Sequence, residues 1–320
     1  MSAAMLEQPT DFTSFELAEW IEIYLVLNGL QSISRAAVTT LFPSGQAPDG
    51  AELDQLFAEV RRRAEVAPRV YPFREVEESI VRSSEVDGRV YDFLLVLSIE
   101  AAPYRKQSRY NEINPSFELV TREALIAQVG GHGEGRRFGW PNGDGRPEKL
   151  GEAVEWLAKE MGLKASVVWD DVDDDDKDGG IDVAVWRPFA DKSPSFTVWL
   201  AQCTVQATYE RKTSDVKPAQ WMTWIKFGQP PVTVLSVPYA IPSDAKVRGQ
   251  MKYSVGLLLD RLRLCELLGD ERTLSGFDEF SFLAEWVSAE VEATKLALSD
   301  GGDRPPRMAK RRRPKKEAAA

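Results

Sequence analysis

Cysteine is nearly missing from this chain: Cys203 and Cys265 are the only two. Neither a disulfide framework nor a cysteine zinc site can be built from them. Cys203, inside an apolar run, reads as a small core residue. Histidine is scarcer still, with His132 alone in the segment Gly130-Gly131-His132-Gly133. A nucleophilic triad needs a firmly positioned base, and a histidine among glycines is more simply a solvated loop residue. No run of about 18 apolar residues and no signal peptide is present, so the sequence predicts no membrane span and a cytoplasmic location. A P-loop is also lacking. Residues 130–146 hold seven glycines and Pro141, but no Gly-Lys-Ser/Thr opens a helix there. The segment is expected to be a linker and a domain boundary.

What is present is a chain of 320 residues, 43% of them hydrophobic, enough for a sizeable core and more readily two domains than one. Its charge is unevenly placed. Residues 301–320 carry eight Lys or Arg against Asp303 and Glu317, a tail of +6, so the overall −10 leaves −16 on the rest. An acidic body argues against nucleic-acid binding by bulk charge. The tail is expected to be disordered, either gripping nucleic acid non-specifically or simply solvated. Residues 170–178 contain seven aspartates. They lack the ligand alternation and closing glutamate of an EF-hand, and read as a solvated acidic loop.

Residues 11–129 are expected to be mainly helical. Phe15, Leu17, Ala18, Ile21, Tyr24 and Leu25 recur at helical spacing behind Thr13 or Ser14 as a cap. Leu53, Leu56, Phe57 and Val60 stripe a second helix over 51–64, and the Arg61-Arg62-Arg63 run beside it reads as a solvated face. Residues 90–99 are a buried helix or strand. A further helix covers 118–128, with Asn114, Pro115 and Ser116 marking its start. This region could be a winged-helix-like DNA reader or a helical partner-binding scaffold. The absence of a helix rich in Arg, Asn or Gln favours the scaffold.

The second half is organised around residues 178–204. Two β-rich runs, Gly179-Gly180-Ile181-Asp182-Val183-Ala184-Val185-Trp186 and Phe196-Thr197-Val198-Trp199-Leu200-Ala201-Gln202-Cys203-Thr204, flank a loop with Pro188 and Pro194. Asp182 lies inside the first run, where a bare charge is costly and a metal ion is a common compensation. Gln202 and Thr204, two apart, share one face of the second. A helix over 148–161 precedes them, with Glu155 among its acids, and a strand is expected at 164–169. Trp221, Trp224, Ile225 and Phe227, at helical spacing, read as core more readily than as base-stacking groups. A strand follows over 232–237, and helices over 246–268 and 277–298 cap the sheet.

Gly-Gly-Ile-Asp-Val followed by a strand ending Gln-Cys resembles the PD-(D/E)xK nucleases, and among them the Mrr-type restriction endonucleases. The resemblance covers residues 151–241. It implies an α/β domain with a restriction-endonuclease-like mixed sheet flanked by helices over 147–300, preceded by the helical domain 1–129 and the linker 130–146. It also implies Mg²⁺- or Mn²⁺-dependent hydrolysis of DNA phosphodiesters, within a bacterial defence system against foreign DNA. Asp182 would be the central metal ligand, with Glu155 and the Gln202 side-chain carbonyl assisting. Where the family's strand reads Gln-Cys-Lys, this chain has Thr204. The catalytic lysine would then be Lys212, the next one downstream, with Lys217 after it. DNA, other defence-system subunits and a second copy of the chain are the partners this implies. Two other readings stay open: an inactive nuclease fold that binds DNA or assembles a complex, and a scaffold binding a protein partner.

Overall fold

A computed structural model describes residues 6–9, 13–100, 102–105, 107–140, 145–166, 178–242, 256–269 and 282–299. The chain opens with helix α1 (Ser14–Asn28), whose first turn is capped by Thr13 Oγ1 accepting from the Glu16 N–H, as its sequence led one to expect. Strand β1 (Ser32–Ser34) and helix α2 (Arg35–Thr40) follow. Helix α3 (Gly50–Val66) starts at an Asp49/Glu52 capping box. Strands β2 (Phe73–Val76) and β3 (Ser79–Arg82) close a hairpin through Glu77 and Glu78, both at positive φ, the form that matches strand twist in two-residue turns. The sheet order is β1-β3-β2. The order here is helix–strand–helix–helix–hairpin, so a small three-stranded sheet stands within the region expected to be mainly helical.

Residues 90–99 resolve as helix α4 (Arg89–Leu97), buried on nearly every side. Helix α5 (Gln107–Gln128) begins well before the expected start and carries Pro115 inside it, at the loss of one intrahelical hydrogen bond. The expected linker holds strand β4 (Glu134–Arg137), an edge strand of a five-stranded sheet. Helix α6 (Leu150–Glu160) comes next, then β5 (Val183–Trp186), β6 (Val198–Cys203), helix α7 (Pro218–Trp224), β7 (Val232–Ser236), β8 (Leu257–Leu259), and helices α8 (Arg261–Leu268) and α9 (Leu283–Ser299). The order across the sheet is β4-β5-β6-β7-β8. β5 is antiparallel to both its neighbours, β4 and β6, and β6-β7-β8 run parallel.

The fold is mixed α/β. Alternate residues of β5 and β6 face opposite ways. Val183, Val185 and Ala201 join the core that includes Phe117, Val120 and Leu125 of α5, while Ala184, Trp186, Val198 and Leu200 pack with α6, Trp221 and Trp224. Because α5 lies on β4, β5 and β6, a boundary at residue 129 would divide the sheet from its own helix. The strand expected at 164–169 is reduced, among described residues, to a single bridge from Ala165 to Ile225. The tail and all of the aspartate loop but Asp178 lie outside the described residues, as do parts of the two expected C-terminal helices.

Arg63 is the clearest departure in the first unit. It is fully buried rather than solvated, since it lies three residues after Val60 and seven after Leu56 on the inner face of α3. Its guanidinium meets Glu19 at 2.6 Å and Glu22 and Glu59 at 2.9 Å. Tyr71 and Tyr91 each donate a hydroxyl to Glu22 at 2.6 Å. Arg261 of α8, also fully buried, binds Glu19 at 2.8 Å and donates to the Pro238 carbonyl at 2.9 Å. Burial opposes the charge on Glu19, but Arg261 and Arg63 outweigh it and hold that carboxyl below its usual range. Glu22 stays above its own, because burial dominates there.

Candidate functional site

Gly179 and Gly180, at φ +58° and +79°, lead into β5 in a conformation that side chains resist. A Cβ at Gly180 would lie 2.2 Å from the Asp215 carbonyl oxygen, and one at Gly179 would strike the Trp224 ring at 2.7 Å. The glycine pair therefore lets the lead-in to β5 press against the turn that carries Lys212 and Asp215. Trp221 locks that approach by donating its indole N–H to the Gly179 carbonyl at 3.0 Å.

Asp182 sits just ahead of β5, opposite Gln202 in the register that pairs Val183 with Ala201. Its Oδ2 accepts from Gln202 Nε2 and from the Cys203 backbone N–H, both at 2.7 Å. Strand pairing thus brings together two residues twenty apart, as the alternation implied. Gln202 takes a different part from the one expected: its amide nitrogen, not its carbonyl, faces Asp182.

The backbone carbonyl of Asp182 accepts from Phe138 N at 2.6 Å and Gly139 N at 3.0 Å, which pins Gly139 against the carboxylate. A Cβ on Gly139 would fall 2.7 Å from Asp182 Oδ1 and 2.9 Å from Glu118 Oε1. The two oxygens are thus no farther apart than the sum of those distances, across a space that only glycine leaves open. Glu118 Oε2 is held by Arg137 at 2.8 Å.

Glu118, which residue order did not single out, is the glutamate that lines the cleft with Asp182, and Glu155 is not. Glu155 is exposed on α6, whose buried side packs on the sheet face opposite α5, and it does not line the cleft. The insertion of α6 between β4 and β5 made it the nearest helix upstream of Asp182 in sequence. The helix that meets Asp182 in space is α5. One signal was available, the Asn114-x-x-x-Glu118 spacing that puts both side chains on one helical face.

Asp182, Glu118, Gln202, Lys212, Asn114 and Trp140 line a polar cleft of about 130 Å³, which Thr204 also borders. Asn114 Oδ1 is buried there without a hydrogen-bond partner among the described residues. Lys212 reaches the cleft as anticipated, with its ammonium donating to Asp215 at 2.8 Å. That hydrogen bond, with Asp182 and Asp178 nearby, raises its pKa. Burial drives the Asp182 carboxyl well above the usual range. Glu118 and Asp178 push the same way, against the Cys203 N–H and Lys212. Thr204 is nearly buried, and its N–H donates to the Ser236 carbonyl at 3.0 Å.

Among the described residues no three His, Cys, Asp or Glu side chains gather into a metal-holding group. The described lining of the cleft offers two carboxylates and the side-chain amides of Asn114, Gln202 and Gln206, with no histidine and with Cys203 as its one sulfur. Two carboxylates fall short of the four protein ligands of a structural zinc site. A volume near 130 Å³ is well below the size of a pocket for a drug-like molecule. No helix among the described residues is long and apolar enough to cross a membrane. In comparisons with known proteins, the chain matches no protein-family model, no curated protein and no solved structure.

Proposed function

We propose that this chain is a Mg²⁺- or Mn²⁺-dependent nuclease of restriction-endonuclease-like fold that hydrolyses DNA phosphodiesters, acting in defence against foreign DNA. One observation carries the reading: Asp182 and Glu118 oxygens face each other across the space at Gly139, beside Gln202 and Lys212. The order α5-β4-β5-β6-α7-β7, with three antiparallel strands and a parallel fourth, supports the fold assignment, and α6 is then an insertion.

In this reading Asp182 Oδ1 and Glu118 Oε1 hold the cation, which when bound neutralises and polarises the phosphate. Gln202 and the Cys203 N–H fix the rotamer of Asp182 through its other oxygen, and Arg137 does the same for Glu118. Asn114 Oδ1 offers an acceptor to a water ordered in the cleft. Lys212 stabilises the charge that grows on the phosphate oxygens as water attacks phosphorus and the P–O bond to the leaving sugar oxygen breaks.

Incubating the purified protein with plasmid and Mg²⁺ or Mn²⁺ tests this directly. Nicked and linear products should form and be abolished by chelation or by Asp182→Asn. A specific observation favours a second reading: Thr204 stands where the resembled family has lysine, and Lys212 is already paired with Asp215. If wild type cuts nothing with either metal while Thr204→Lys does, the chain is an inactive nuclease fold that binds DNA or scaffolds a complex.

A further inference from the structure

Trp140 is the single tryptophan among the described residues that is largely exposed, at 47%. The others are buried or half-buried, several of them in the packing around α7. Lone exposed aromatics are common, so exposure alone decides nothing. Position does, because Trp140 follows the Phe138-Gly139 step pinned to Asp182 and lines the same cleft as both carboxylates and Lys212.

The cleft itself is polar and too small to take a base together with a hydrated cation and a phosphate. A nucleobase flanking that phosphate must therefore rest at the lip, where Trp140 stands. Electrostatics point the same way. Proteins that grip duplexes neutralise many phosphates with Lys and Arg, but Lys212 is the one cationic side chain lining this cleft. The chain bears a net charge of −10, and the turn of the β2–β3 hairpin presents two exposed glutamates, Glu77 and Glu78. At the cleft itself, where Lys212 is the one cation among the described lining residues, an uncharged contact has the most to add, and base–aromatic stacking is one that tolerates any sequence. A base inside a duplex is already stacked on its neighbours and cannot supply it.

From this placement we infer that the substrate presents an unpaired nucleotide, and that Trp140 stacks on its base beside the scissile phosphate. The preferred DNA is then single-stranded, forked or frayed rather than blunt duplex. The inference rests on the nuclease reading, and its test is made on binding so that the two can fail separately.

The full-length protein carrying Asp182→Asn, which does not cut, is titrated into a fluorescently labelled oligodeoxynucleotide, single-stranded or as a blunt duplex. The single strand should bind more tightly. Adding Trp140→Ala should weaken single-strand binding roughly 10- to 100-fold, whereas Trp140→Phe should stay within about threefold of the parent. Duplex affinity should be indifferent to either change. Equal single-strand binding with and without Trp140, no measurable single-strand binding, or a duplex bound as tightly as the single strand would each overturn the proposal. A wild type that cuts DNA without any Trp140 effect refutes stacking alone. One that stacks but never cuts refutes the nuclease reading alone.

Discussion

Burial makes the charged form of Asp182 costly. Because burial and Glu118 raise its folded pKa, the sign of the linkage is set: stability is greatest with the carboxyl protonated and falls as pH rises through the raised pKa. In the metal-free protein Asp182→Asn should therefore raise Tm at pH 8, by at least ~2 °C. The gain should shrink as pH falls and vanish below the ordinary carboxylate pKa. Millimolar Mg²⁺ should raise the Tm of wild type but not of the variant, and thermal scans across pH in EDTA and in Mg²⁺ check both. A wild type more stable than Asp182→Asn in EDTA at pH 8 would mean that the carboxylate is a satisfied structural group. Lys212 is tested by rate instead. Lys212→Ala should reduce cleavage at least ~100-fold without unfolding the protein, and Thr204→Lys, from the neighbouring strand end, should restore part of it. Equal rates for wild type and Lys212→Ala would move attention to Lys217.

At the scale of elements, the loop after β4 sets the space between the two carboxylates, because Gly139 lies against both. Gly139 has an ordinary backbone conformation, so an alanine there is strained only by its surroundings. Its Cβ would sit under 3 Å from both carboxylates. Gly139→Ala should leave the metal-free Tm within a few degrees while abolishing the Mg²⁺-induced shift and the cleavage. Retention of the metal response would show that the cation lies elsewhere. Much of this region was legible from residue order: the Gly-Gly-Ile-Asp lead-in, the alternation that pairs Asp182 with Gln202, and Lys212 at the cleft. What was hidden is long-range. Nothing local distinguishes α6 from α5 as the helix facing Asp182, because an inserted helix looks like any other amphipathic segment. β4 was masked by the glycines around it. Gly133 and Gly135 are needed there because a Cβ at either would lie under 3 Å from Val129 or Arg122 of the segment packed against it, so a feature that read as linker is a packing requirement.

Over the whole molecule, the Arg61-Arg62-Arg63 run shows how adjacent identical residues can belong to different environments. Arg61 is exposed and pairs with Glu75, whereas Arg63 is sealed among Glu19, Glu22 and Glu59. Removing Arg63 strands buried carboxylates, so Arg63→Ala should cost ~3–5 kcal/mol in urea unfolding. Arg61→Ala should stay within ~1 kcal/mol of wild type, as exposed pairs do. Similar midpoints for the two variants would show that the buried network contributes little. Nothing in residue order beyond the seven-residue spacing of Leu56 and Arg63 marked this difference, because charge composition does not reveal burial.

Arg261 also governs how this protein could be cut and rejoined. The α1–β3 unit has the outline of an exchangeable module, but its inner carboxylate Glu19 is matched by an arginine near the opposite end of the chain, and that arginine also holds the carbonyl of Pro238 beyond β7. A hybrid that borrowed residues 1–129 alone would carry Glu19 with Arg63 but leave the second of its two counter-charges behind. A hybrid that borrowed the rest would bury a guanidinium with no acid to meet it. Recombination along the obvious seam is thereby penalised, most where it leaves Arg261 buried without Glu19.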